Sequence, residues 1–390
     1  MNTLPPQAQS AGLQGGFEVR SRAVTLDEVA RTSGVSRATA SRALNGRERV
    51  NPDVRVRVQM VADSLGYRPN TAARSLASGR SGVLGMVLPT GHLISQPYEA
   101  HLLEAVAEAA STSGQGVMLW LAANEPGPAL RRGFRAGLVD GIVVSGMAIG
   151  SPWVEDLFDG PHPCVLVGRH PSRDDIPRVE LANRQGAARA VEHLVAGGGE
   201  RIAIVLGPPD RVDGRDRYAG YEDALEHNGL TVDKRLVEVG EFNMESGYDA
   251  MRRLLAHRPD SVFACNDPMA AGVVRAVREA GLRIPDDVAV MGFDDLPIAS
   301  ITDPPLSTAR QDLDAIGTAA VALLLELVGG TAAGVARQTL IDAPLVVRGS
   351  TRPVVRDSSV AARDGEREAT TSCAPVASST SQQENRRATS

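Results

Sequence analysis

The chain has few aromatic residues: Phe, Trp and Tyr together make up 3% of its 390 positions. With 43% apolar residues it can still bury a core, but that core must be built from Val, Leu, Ile and Ala. Cysteine is scarce as well. Cys164, Cys265 and Cys373 are odd in number and far apart, which excludes a disulfide framework and a cysteine metal site and suits a reducing cytoplasm. The opening "MNTLPPQAQSAGLQGG" lacks the basic and apolar regions of a secretory signal. No run approaches the roughly 20 apolar residues of a membrane helix. Catalytic signatures are missing too: there is no G-x-x-x-x-G-K-[ST] loop, no G-x-G-x-x-G after the first strand, no H-E-x-x-H and no G-x-S-x-G. The seven histidines form no metal-like cluster. These absences predict a cytoplasmic protein that is not an enzyme, holds no cofactor or metal and has no membrane partner.

Charge is distributed unevenly. The net charge is −6, yet residues 22–80 carry eleven arginines against five acids. A basic head on an acidic body points to a polyanion-binding module. Its stretch "VTLDEVARTSGVSRATASRALN" reads as two short helices with a Gly-containing turn. Thr25 and Glu28 form a capping box, with Val24 and Val29 in staple positions. The first helix should end near Thr32, before Ser33-Gly34. Ser36 caps the second, which stops at Asn45-Gly46. Val35, Ala40, Ala43 and Leu44 can face inward, leaving Arg37, Ala38, Ser41, Arg42 and Asn45 on the other side. A third helix starts with Asn51 and Pro52 and carries the stripe Val54, Val58, Val61, Ala62 and Leu65. Small residues at the start of the second helix admit it to a major groove. An arginine can then bond guanine in bidentate fashion, and hydroxyls can bond phosphates. A protein-interaction module with a solvated basic face is the plainer alternative.

From residue 81 the pattern changes. The runs "GVLGMVLP", "GVMLWLA", "GIVVSG", "CVLVG", "RIAIVLG", "SVFAC" and "VAVMGF" read as buried parallel strands, with helical segments between them. This alternation over some 270 residues predicts two doubly wound parallel sheets. Ligands of such sheets sit beyond the carboxyl ends of strands. Asn266 and Asp294 follow apolar strands directly, and Arg169 and Asn183 also fall after strands. Tyr98 opens the first body helix and is a candidate wall residue. Asn266 as a helix cap and Asp294 as a turn residue are the structural alternatives, compatible with the ligand role.

The connector "PNTAARSLASGRSG" offers Asn70 as a cap and about two helical turns, too short to persist alone in water. Its one large apolar residue, Leu76, either packs on the body or is a wedge between minor-groove base steps, the segment folding only on DNA. The second option requires a homodimer on a near-palindromic operator. The domain reading is therefore a tail (1–22), a helix-turn-helix head (23–69), a hinge helix (70–80), a ligand-binding and dimerisation body (81–350) and a second tail (351–390), both tails disordered.

These motifs resemble the lactose-repressor/galactose-repressor (LacI/GalR) family of bacterial transcription regulators, over roughly residues 23–350. The head and "LGYRPNTAARSLASGRSGVLGMVLP" are similar to the family's DNA-binding and hinge segments. "RYAGYEDAL", "CNDPMAAGVVRAVREAGLRIPDDVAVMGFDDLP" and "DPPLSTARQDL" are similar to landmarks of its body. The resemblance implies a periplasmic-binding-protein-like body of two subdomains with an effector between them. It implies base reading by Arg37, Ala38 and Arg42, and phosphate or turn roles for Thr25, Ser36, Thr39, Ser41 and Asn45. The hinge supplies Asn70 and Arg74 beside Leu76, which matches the family's minor-groove leucine. Arg217, Asn266 and Asp294 should face the cleft, with Phe242 at a position often aromatic, a set that suits a carbohydrate. The implied function is repression relieved by a sugar; the alternative is a corepressor such as a nucleobase or nucleoside. A sugar-processing enzyme or a free ligand-binding protein is the reading from other classes, and neither explains the head. Ala182 and Gly168 stand where family members often carry Asp, which should change the cleft's polarity. The tail lacks leucine heptads, which favours a dimer over a tetramer.

Overall fold

The computed structural model describes residues 24–45, 50–68, 79–89, 97–122, 132–133, 136–146, 152–160, 162–330 and 338–354. Both tails up to 23 and from 355, and the connector positions Asn70, Arg74 and Leu76, lie outside the described residues. The chain divides into two compact units, one ending at Ser81 and the other starting at Gly82.

The first unit holds three helices, α1 (Leu26–Ser33), α2 (Arg37–Leu44) and α3 (Pro52–Leu65), each packed on the other two. Thr25 and Glu28 form the capping box, with Thr25 N donating to Glu28 Oε2 at 2.7 Å and Glu28 N to Thr25 Oγ1 at 3.3 Å. Gly34 and Gly66 end α1 and α3 in the left-handed region, where a side chain would be strained. The core is small: Val29, Ala30, Ala40, Ala43, Val58 and Ala62, ringed by Val24, Val35, Leu44, Val54 and Val61. Leu65 departs from the expected stripe and is exposed, while Tyr67, just past the end of α3, packs on this core.

The second unit is built on two six-stranded sheets. The first begins with β1 (Val83–Pro89), β2 (Gly116–Ala122), β3 (Gly141–Ser145), β4 (Cys164–Val167) and β5 (Arg178–Leu181), with α4 (Pro97–Thr112) and α5 (Pro152–Phe158) between them. The chain then crosses over. The second sheet takes β6 (Ile202–Leu206), β7 (Val237–Val239), β8 (Ser261–Ala264), β9 (Ala289–Asp294) and β10 (Ser307–Arg310). Its helices are α6 (Asn183–Ala196), α7 (Val212–His227), α8 (Met244–Leu254), α9 (Asp267–Glu279) and the short α10 (Pro297–Ile301). A second crossing leads to α11 (Leu313–Val328), which packs on α4, and to β11 (Gln338–Ile341) in the first sheet. A third returns to β12 (Leu345–Val346). The sheet orders are β11-β5-β4-β3-β1-β2 and β12-β10-β9-β8-β6-β7, and every pairing is parallel except β10 with β12.

Alternation along the strands explains the two-sided packing. In β1, Leu84, Met86 and Leu88 join Leu102 and Val106 of α4 in one core, while Val87 faces a second cluster with Ile142, Leu157 and Leu166. In β9, a Cβ at Gly292 would meet Asp267 and Ala270 of α9, whereas the next residue, Phe293, touches Gly186 of α6. All seven strands expected from apolar runs are present. The short β5, β7, β10, β11 and β12 escaped that reading; "RVEL" in β5 hides a strand because Arg178 and Glu180 neutralise each other along it, 3.2 Å apart. The ordered body also runs past residue 350. Thr351 is buried, its hydroxyl bonded to Ser307 and His193, so the expected tail begins later than 351.

Helices α8 and α9 cross at glycines. A Cβ on Gly272 would lie 2.1 Å from Met244 O and 2.6 Å from Tyr248 N, both backbone atoms that cannot swing away. Gly272→Ala should therefore destabilise the body by about 1–3 kcal/mol, read as a lower midpoint in urea; an unchanged midpoint would mean that the helices part without cost.

Candidate functional site

Two surfaces carry functional chemistry. The first is α2. Ser36 accepts from Thr39 N at 3.1 Å, which starts the helix, and Asn45 Nδ2 donates to Ser41 O at 2.8 Å at its end. Ser36, Arg37, Ala38, Arg42 and Asn45 are exposed, and Thr39 and Ser41 are half-buried. Arg37 lies 3.6 Å from Asp27 of α1, and Arg42 Nε donates to Ala38 O at 3.2 Å. Both contacts are exposed and weak, so either guanidinium is free to turn to a stronger acceptor. Thr25, Ser36 and Asn45 hold the helix ends, whatever else they touch.

The second is a cleft, partly open to solvent, between the carboxyl ends of the two sheets. Arg169 follows β4, Asn183 follows β5 and Gln311 follows β10. Tyr98 comes from α4, and Arg211, Asp213, Asp216 and Arg217 from α7 and its approach. Of the residues expected there, Tyr98, Arg169, Asn183 and Arg217 line the open space. Asp294, Asn266 and Phe242 do not line it, although Asp294 contacts Arg217 and Gln311, which do. Asn266 caps α9 by accepting from Met269 N at 2.9 Å and donates to Phe242 O at 3.0 Å. The Phe242 ring lies over Gly207, with the Arg211 guanidinium 5.7 Å from its centre.

Arg217 is the hub. It is 3% exposed, yet its donors reach Asn183 Oδ1 at 2.8 Å and Cys265 O, with Asp294 Oδ1 at 3.4 Å. Its guanidinium also sits 3.9 Å from the centre of the Phe293 ring. Asp294 in turn accepts from Gln311 Nε2 at 2.5 Å. Its φ of 110° is strained for a residue with a side chain, a strain held by these partners. Towards the mouth, Arg169 of the first sheet reaches Asp216 of α7 at 2.5 Å and Glu180 at 3.4 Å, so one ion pair spans the cleft.

Burial governs the acids. It pushes Asp294 up to about 7, helped by the charges of Asp213 and Glu99 and opposed by Arg217 and the Gln311 bond. Burial likewise raises Glu99 and the Tyr98 phenol. Asp213 feels the same burial, but Arg211, Arg217 and the Gly214 amide outweigh it and hold its carboxyl below the usual range. The positions Ala182 and Gly168 lack carboxylates, but the cleft is not poor in them: Glu180, Asp213 and Asp216 line it. Sequence reasoning missed these three together with Arg211, Glu99 and Gln311. A signal existed for Asp213, which stands four residues before Arg217 and hence on the same face of α7. Among the described residues no group of His, Cys, Asp and Glu could hold a metal ion, and no helix is long and apolar enough to cross a membrane.

A three-helix head with an exposed basic second helix, followed by a two-sheet body enclosing a polar cleft, defines a ligand-binding body fused to a DNA-reading module. Comparisons with known proteins make this specific. Residues 25–70 match the model of bacterial regulatory proteins of the lacI family, and residues 191–351 match a periplasmic binding protein-like domain. The transcriptional regulator CelR of Thermobifida fusca is 35% identical over 80% of this chain and 94% of its own. The ribose operon repressor of Escherichia coli K12 is 31% identical over 77% and 92%. Among solved structures, a lac repressor dimer bound to operator and the anti-inducer ONPF is similar, with a TM-score of 0.73 and 28% identity over 85% of this chain and 100% of that one. A CelR–cellobiose complex matches with a TM-score of 0.65 and 32% identity over 84% and 99%. The chain belongs to the LacI family: it is a DNA-binding transcriptional regulator and not an enzyme.

The buried Asp294 supplies a test by pH. Folded, it keeps its proton up to about pH 7; unfolded, it releases it near pH 4 (about 3.9). Between those values the folded state binds more protons, so this group's contribution to stability falls as pH rises and levels off above 7. Relative to Asp294→Asn, the wild type should thus lose stability from pH 4 to 7 in paired urea melts. Parallel profiles for the two proteins would contradict the assignment.

Proposed function

We propose that the protein is a transcriptional repressor whose operator affinity is set by a carbohydrate held in the cleft between the two sheets. The observation that carries this reading is the cleft itself. Arg217, Asn183 and Gln311 present fixed donors and acceptors beside Tyr98, with Asp294 holding Arg217 and Gln311 in place. Such a lining suits a polyhydroxylated ring, which needs paired hydrogen-bonding groups and a flat wall. The names of relatives support the same class of effector: one is solved with cellobiose, another is a ribose operon repressor.

In this reading Arg37, Ala38 and Arg42 meet base edges in a major groove, and Thr25, Ser36, Thr39, Ser41 and Asn45 contact phosphates or hold the turn. Asn70, Arg74 and Leu76 belong to a hinge helix that forms on DNA and opens the minor groove. Two copies act as a homodimer on a near-palindromic operator, in the cytoplasm. Effector changes how the walls of the cleft meet, and this alters the cost of ordering the hinges.

Arg42→Ala should lower affinity for a selected inverted-repeat duplex by about 1–3 kcal/mol and leave binding to unrelated DNA nearly unchanged. Competition binding at fixed salt, with and without cellobiose and ribose, reads this directly. A variant that retains the full sequence preference would remove Arg42 from the reading set.

A further inference from the structure

Arg37 is the first residue of α2, and no acid stands in the first turn of that helix. A cation there faces the positive end of the helix dipole and is disfavoured. Its compensation comes from another helix. Asp27, in the first turn of α1, brings Oδ1 to 3.6 Å from Arg37 Nε, and both side chains are exposed. Other acids of the head are placed differently. Glu28 accepts from Thr25 N in the capping box, Asp63 accepts from Gln59 of its own helix at 3.0 Å, and Asp53 sits in the first turn of α3. The dipole of α1 welcomes an acid where Asp27 stands, yet Glu28 already supplies one in that turn.

An acid near the face that meets DNA is repelled by phosphates, and in water a pair this exposed adds little to stability. Steering a guanidinium is what the contact can do. It runs through Nε, and among the described residues no hydrogen bond engages the terminal amino groups of Arg37. Arg42 is met in the same way, its Nε donating to Ala38 O at 3.2 Å. A guanidinium met at Nε presents its two terminal amino groups side by side, the fork that matches O6 and N7 of guanine. We propose that Asp27 is a positioning residue for base reading: it keeps Arg37 turned to a guanine edge in the major groove and away from the phosphates. This rests on the base-reading role of Arg37 given above and narrows it to one base and one orientation.

The test is selection of bound sites from randomised duplexes by the full-length protein, followed by competition binding at fixed salt. The wild type should prefer guanine at one position of each half-site by about tenfold or more, the usual worth of a bidentate arginine–guanine pair. Arg37→Ala should lose that preference. Asp27→Asn should weaken it by about threefold or more at the same position and leave the position read by Arg42 intact. Because Asp27→Asn removes a negative charge near the phosphates, its binding to unrelated DNA should hold or tighten; a purely structural role would weaken both. Tighter binding to all DNA with the guanine preference intact overturns the proposal, as does a loss spread evenly over all positions. An Asp27→Asn effect that persists undiminished in the Arg37→Ala background overturns it too. If Arg37→Ala keeps the guanine preference, the proposal falls together with the base-reading role of Arg37, while that of Arg42 stands.

Discussion

The body is organised around one buried cation. The Arg217 guanidinium is taken out of water and must be compensated in place, and its partners come from separate parts of the chain. Asn183 opens α6 just after the first crossing between the sheets, Cys265 ends β8, and Asp294 ends β9. Through Asp294 the network reaches Gln311, on the second crossing. The third crossing is tied to the first by Ala182 N donating to Ile341 O at 2.9 Å. The fixed inner end of the cleft is thus also the place where the two sheets are sewn together. Removing a single member of such a set leaves a buried polar group without its partner, at a cost of about 1–3 kcal/mol.

The outer end obeys different energetics. Arg169 and Asp216 are a third and a fifth exposed, so their pair is screened and is worth about 1 kcal/mol or less. Arg169 also has Glu180 within reach on its own wall. It therefore keeps a partner if the walls separate, which makes parting them cheap. A rigid inner end and a loosely held mouth are what a ligand-controlled hinge requires, since a ligand shifts an equilibrium only by its differential affinity for the two states.

Much of this was legible in the sequence, for identifiable reasons. The head announced itself because capping is local: Thr25, Glu28, Ser36 and Gly34 sit at fixed offsets from the ends they terminate. Long apolar strands such as β1 and β9 were readable because burial on both faces removes polar residues from them. The cleft was only half readable. Asn266 and Asp294 were found because they follow apolar strands, yet neither lines the open space: Asp294 holds Arg217 and Gln311, and Asn266 caps α9. Asp216 and Glu180 could not be found this way. Their meaning comes from Arg169, across the cleft from one and one strand away from the other, and no periodicity within a segment encodes a partner 47 residues distant.

The central claim is that the weak Arg169–Asp216 pair sets how closely the walls of the mouth approach each other. Pulsed electron resonance distances between spin labels at the exposed positions Asp156 and Glu226, one on each side, test it most directly, with Cys373 replaced to avoid stray labelling. Asp216→Lys sets a cation against Arg169 and should move the distance distribution to longer values, while Asp216→Glu should retain that of the wild type. An unchanged distribution in Asp216→Lys would contradict the account.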